Sequence, residues 1–294
     1  MSHLYSPVRS RQTGSMPASP TAIRRRIGYR LRELRNRAGI TTVEAAATIG
    51  ASDAKISRLE RGLTPLRPGD VRLLLDSYGG LDESERDLLV RLAAESGRRG
   101  WWQDYDLPEW FNAYVGLESA ASTVANFETH LIPGLLQTPA YAQALIHHAQ
   151  PTMAAERVDL LVRARLVRQK RLVNDDPLRL RALIGEAALH CVVGTPDEMQ
   201  EQFTHLATMS RAANVEIRVV PFTSPAYAVH GRSVVILDFP GTGDPGLAYF
   251  DHLGKGSYVE DDAQVAAHRM AFELLVGSAL SVEESAKLFL DRGK

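Results

Sequence analysis

The sequence predicts two domains of different class: an all-α N-terminal domain of five short helices and a larger mixed α/β (α+β) C-terminal domain. Three observations carry this reading. The chain has 294 residues, close to twice the roughly 150 expected of one domain. Its charge is split: residues 1–100 hold 18 Lys/Arg against 11 Asp/Glu, and residues 101–294 hold 16 against 24, so a formal net charge of −1 conceals a basic head and an acidic body. The apolar pattern changes at the same place, from helical spacings alone to helices interleaved with short Val- and Ile-rich segments.

Composition excludes several classes. At 45% hydrophobic and 23% charged, the chain falls in the globular range. No apolar run approaches the ~18 residues of a membrane span, so no membrane partner is expected. Residues 1–22 carry Pro7, Pro17 and Pro20 without an apolar stretch, and are expected to be a disordered arm and no secretory signal. The single cysteine, Cys191, can form no internal disulfide and offers no thiolate cluster for zinc. No cofactor or metal is expected, and a reducing cytoplasm is the simplest compartment.

The helical domain is expected over 23–97. Ile23, Ile27, Leu31 and Leu34 recur at helical spacing, and Arg24, Arg25, Arg26, Arg30, Arg32 and Arg35 cover the other faces of that first helix. Gly39 ends it. Thr41 or Thr42 caps a second helix reaching about Ile49, and Ser52 or Asp53 caps a third that runs to Arg61. Asp70 opens a fourth with Val71, Leu74, Leu75 and Tyr78, and Asp82 with Glu85 forms a capping box for a fifth carrying Leu88, Leu89 and Leu92.

The window 42–61 is the most informative stretch. The tight crossing of a helix-turn-helix requires a small residue at the fifth position, here Ala46. The ninth position leaves the first helix with positive φ, which favours the Gly50 found there. Ala45, Ile49, Ala51, Ile56 and Leu59 fill the positions that face the shared core, and no proline interrupts either helix.

With LRELRNRAGIT before it and the helix 71–78 after it, this stretch resembles the lambda-repressor-like (Xre) family of helix-turn-helix regulators over about 27–78. The resemblance implies a third helix lying in the major groove of a double-stranded DNA operator, its N-terminal turn toward base edges. The implied base readers are Asp53, Ala54, Lys55, Ser57 and Arg58: Lys55 and Arg58 can donate to guanine, Asp53 can accept from cytosine, and the Ala54 methyl suits thymine. Thr42, Arg61 and Arg67 are the expected phosphate contacts. Thr42 and Asp53 stand where many relatives have glutamine, which leaves the base preference open.

Residues 98–294 are expected to form the α/β effector, partner or dimerisation domain. Helices are expected over 139–148, 153–173, 196–213, 263–277 and 282–290, and strands over 178–184, 215–220, 233–239, 247–250 and 257–259. Trp101-Trp102, Tyr114-Val115-Gly116-Leu117-Glu118, Phe127-Glu128, Ile132-Pro133-Gly134-Leu135-Leu136-Gln137-Thr138, Arg165 with Arg168-Gln169, Gly185-Glu186-Ala187-Ala188-Leu189 and Val219-Val220-Pro221 resemble the C-terminal domain of actinobacterial WhiJ-like, antitoxin-like regulators. The match extends over roughly 101–290. It implies a regulator with a small partner protein encoded nearby.

The second half offers no catalytic set. His230-Gly231-Arg232 with Asp238 approaches a phosphodiesterase motif, but arginine replaces its lysine, the aspartate is one residue late and a second copy is missing. Residues 241–246 lack a lysine and precede a strand, as a turn does and a phosphate loop does not. Trp101, Trp102, Tyr105, Trp110 and Tyr114 crowd one segment as core packing or the wall of a ligand or partner groove. The function expected is a non-enzymatic, sequence-specific transcriptional regulator, a repressor acting as a homodimer because one helix reads only a few base pairs. The alternatives are an antitoxin-like protein that sequesters its partner and, lower, a phosphodiesterase.

Overall fold

The computed structural model describes residues 19–225, 232–240, 244–252 and 254–293. The arm expected over 1–22 lies outside these residues up to position 18, and its last three residues are corrected to helix. Helix α1 spans Pro20–Arg37 because Pro20, with its fixed φ and missing N–H, suits a first turn. It is followed by α2 (Thr42–Thr48), α3 (Asp53–Glu60), α4 (Pro68–Tyr78) and α5 (Glu83–Glu95).

Local chemistry sets these boundaries. Thr41 caps α2 in a reciprocal capping box with Glu44, and the Ser52 side chain accepts from Lys55 N to cap α3. Helix α4 opens at Pro68, ahead of the expected Asp70, for the same reason as α1. Asp82 accepts from Glu85 N, which is the N-cap half of the expected box. Gly50 has φ +61 at the turn between α2 and α3.

The helical core gathers the α1 stripe with Ala45, Ala46, Ile56, Leu59, Leu66, Val71, Leu74, Leu75, Tyr78, Leu89, Val90 and Ala93. Ile49 and Ala51 are half-buried, and Leu88 is exposed because α5 turns Leu89, Val90 and Ala93 inward instead. Two contacts lock α3 onto α1. Gly28 sits so close that a Cβ there would lie 2.4 Å from the Leu59 carbonyl oxygen. The buried Arg35 guanidinium donates to both oxygens of Glu60, at 2.6 and 3.0 Å, and to the Ile40 carbonyl at 2.8 Å.

The second domain is a six-stranded mixed sheet in the order β3-β2-β1-β4-β5-β6. Its strands are β1 (Thr123–Glu128), β2 (Arg179–Gly185), β3 (Val215–Val220), β4 (Val234–Asp238), β5 (Leu247–His252) and β6 (Lys255–Val259). The first three run parallel, and β4, β5 and β6 continue antiparallel. Helices α6 (Glu109–Glu118), α7 (Pro139–Ala149), α8 (Ala155–Gln169), α9 (Pro196–Met209), α10 (Asp262–Ser278) and α11 (Val282–Arg292) cover it. The helix expected over 153–173 ends earlier, turning 3-10 at Lys170–Leu172.

One sheet face packs Val124, Leu180, Ile217 and Leu237 against residues of α6, α7, α9 and α11. The other packs Phe127, Leu183 and Ile236 against Ala271, Phe272 and Leu275 of α10. The α10–α11 turn and the first turn of α11 close the β3 edge: Leu280 N donates to Val219 O at 2.8 Å, and Val219 N donates to Ser285 Oγ of α11 at 2.9 Å.

A buried polar cluster sits inside this domain. Arg168 holds Glu118 through two 2.7 Å hydrogen bonds, and Tyr114 Oη donates to the same carboxylate at 2.8 Å. At the end of β1, burial pushes the Glu128 carboxyl up to about 7, against hydrogen bonds from Ser233 and Asn126, and the Asp251 charge adds to the rise. A carboxyl raised above its ordinary 4.5 favours the fold while protonated. That contribution is complete below pH 4.5 and is lost as pH rises through about 7. In urea titrations across this range Glu128→Gln should flatten the fall in midpoint; an unchanged slope would refute the assignment.

Candidate nucleic-acid interface

Helix α3 buries Ile56, Leu59 and Glu60, so its opposite face is centred on Ala54 and Arg58. Asp53, Ala54 and Arg58 are exposed, Lys55 and Ser57 half-buried. Of the expected readers only Arg58 is a cation without an ion pair among the described residues. Lys55 Nζ lies 3.0 Å from Asp70 Oδ2 on α4. Asp53 Oδ1 accepts from Ala54 N at 2.8 Å, within its own first turn.

The expected phosphate contacts are in three different states. Arg67 is exposed at the N-cap of α4, with no ion pair among the described residues. Thr42 is the first residue of α2, but Glu44 Oε2 already accepts from both Thr41 N and Thr41 Oγ1 at 2.8 Å. A carboxylate therefore sits beside the place expected for a phosphate, and Glu44, two residues on in the same window, was the signal for it.

Arg61 is held by the second domain. Its Nη1 lies 3.2 Å from Glu260 Oε2, and the other oxygen of Glu260 lies 3.2 Å from Arg25 Nη1. Arg25 also meets Asp244 Oδ2 at 3.0 Å, donates to the Gly246 carbonyl at 3.1 Å, and stacks on Phe239 at 4.2 Å. Arg25, Asp244 and Glu260 are largely buried while the Arg61 side chain stays 40% exposed, so the joint between head and body is centred on Arg25, with Arg61 at its rim. Charge asymmetry along the sequence implied that the head meets a polyanion; part of it meets the chain's own acidic half.

The aromatic segment belongs to the core. Trp102 and Tyr114 are buried, with Trp101 and Tyr105 packed against the same cluster. Trp110 stays half-buried, its carbonyl accepting from Tyr258 Oη at 3.2 Å. A groove of about 550 Å³ lies elsewhere, between the start of α7, the end of α8 and one face of α9. Gln137, Thr138, Gln169, Asp197, Glu201 and His205 line it. His230 and residues 241–243 lie outside the described residues. Among the described residues no group of three His, Cys, Asp or Glu is placed to hold a metal.

Two family models match. Residues 26–89 match a helix-turn-helix domain, and residues 111–291 match a domain of unknown function, DUF5753. The chain belongs to the DUF5753 family. No curated protein and no solved structure matches it. In this DUF5753 protein the helix-turn-helix model runs from Arg26 within α1 through α2, α3 and α4 into the first half of α5, so the head is that of a DNA-binding regulator. No single helix among the described residues is long and apolar enough to cross a membrane.

Proposed function

We propose that this DUF5753 protein is a cytoplasmic, sequence-specific transcriptional repressor of the WhiJ-like, Xre type, working as a homodimer on an operator of two half-sites. The observation that carries the reading is the free outer face of α3, Ala54 and Arg58, held rigidly by Gly28 and the Arg35–Glu60 pair beneath it. The C-terminal domain performs no chemistry of its own and receives a signal, with the groove beside α9 as the receiving surface. The joint at Arg25 supports this, because it gives a change in the body a contact through which to reach the head.

Recovering bound DNA genome-wide from the native host tests the proposal: enrichment of one palindromic motif supports it, and enrichment of none overturns it. Co-purification of a small neighbouring gene product with the unliganded protein separates the antitoxin-like alternative. Hydrolysis of a phosphodiester that is lost in His230→Ala would restore the enzymatic one.

The joint makes its own prediction. Glu260 and a DNA phosphate compete for Arg61, so Glu260→Gln should raise affinity for random duplex. It should also steepen the slope of log K against log salt by about 0.9, one phosphate contact. An unchanged slope would remove Arg61 from the interface.

A further inference from the structure

Helix α10 is apolar on two opposite sides. Its inner side, Val265, Ala271, Phe272 and Leu275, is buried, mostly against the sheet. Its outer side carries Ala263, Ala267, Met270, Leu274 and Gly277, all exposed, with Met270 at 69% and Leu274 at 51% of their full area. Their spacings of four, three, four and three residues are those of a helix-packing seam. The charged residues nearby turn aside: Arg269 pairs with Asp238, Glu273 with Arg181, and Asp262 lies 3.9 Å from Arg32. A helix apolar on two opposite sides belongs between two layers, and the described residues supply only one.

We propose that the outer face of α10 docks antiparallel on the same face of a second copy, with the two-fold axis at Met270. The seam is complementary to itself in that arrangement. Leu274 meets the exposed small Ala266 on both sides of the axis, and Ala263 meets Gly277 where the backbones come close. The unbranched Met270 packs on its own copy, and Ala267 lies opposite Glu273, which is held by Arg181. The helix dipoles oppose each other, and no like charges meet along the seam. At 1.5 Å per residue the 17-residue helix is about 25 Å long. The two N-termini therefore lie about that far apart, each beside its own head through Arg32 and Asp262. With the heads outside them, the spacing suits half-sites one turn, about 34 Å, apart. One helix seam falls short of the roughly 800 Å² per partner of a standard interface, so the dimer is weak in solution.

The test uses the full chain without DNA, so its outcome is independent of the regulatory reading. In a Cys191→Ser background, Met270→Cys should cross-link to a dimer with a short bis-maleimide. Ala263→Cys should not, because its copies lie about 20 Å apart across the axis. Cross-linking at 263 but not at 270 would overturn the antiparallel seam. In sedimentation equilibrium the mass should rise with concentration toward twice 32.3 kDa, and Leu274→Glu should hold it at the monomer. A wild-type monomer up to millimolar concentration, or a Leu274→Glu chain that dimerises as the wild type does, would overturn it. Docking of residues 1–18 or of a different protein on this face would show as that persistent monomer.

Discussion

Arg58→Ala should lower affinity for the cognate operator by about 1–3 kcal/mol and affect random duplex much less. Arg58 stands opposite the buried side of α3 and forms no ion pair among the described residues, so its guanidinium reaches a base edge without breaking a contact first. Lys55 differs: it must leave Asp70 before it can donate to a base. Lys55→Ala should therefore cost specificity less than Arg58→Ala, and Asp70→Asn should raise affinity on both kinds of DNA. Arg67→Ala should weaken specific and random complexes alike and flatten the salt slope by about 0.9. Titration of each variant against specific and scrambled duplexes at two salt concentrations measures all of this. An Arg58→Ala chain with an unchanged specific-to-random ratio would remove the proposed reading face.

Glu118→Ala should destabilise the C-terminal domain by about 3–5 kcal/mol. It strands the buried Arg168, whose side chain is 7% exposed and which donates two 2.7 Å hydrogen bonds to that carboxylate. It also leaves Tyr114 Oη without its acceptor. Replacing both members, Glu118→Leu with Arg168→Met, should recover most of the loss, because apolar residues of similar volume remove the uncompensated charge. Urea unfolding followed by near-ultraviolet circular dichroism would show it. Equal losses in the single and double variants would mean that the cluster is held by packing alone.

The helical head was largely legible in the sequence because its determinants are local. The stripe Ile23, Ile27, Leu31, Leu34, the small Ala46, the turn at Gly50 and the caps before α2 and α3 each act within a few residues. Five strands were legible for the same reason, being short apolar runs between turn residues. Strand β1 was not. It lies between β2 and β4, yet reads Thr-Val-Ala-Asn-Phe-Glu, and neither Asn126 nor Glu128 announces a strand. Helix α6 was hidden by its aromatic crowding, since Trp110, Phe111 and Tyr114 fit a helix or a loop equally.

By itself the sequence determined the two-domain class, the helix-turn-helix register and which side chains the third helix presents outward. Tertiary structure alone decided which of those side chains are free. Lys55 is tied by Asp70, 15 positions away, and Arg61 by Glu260, 199 positions away. Likewise, α10 shows its unpartnered outer face only once Phe272 and Leu275 are seen packed on the sheet. A helix period or a cap is a short-range property of adjacent residues, whereas an ion pair or a covered face depends on where distant segments meet, and no local pattern encodes that.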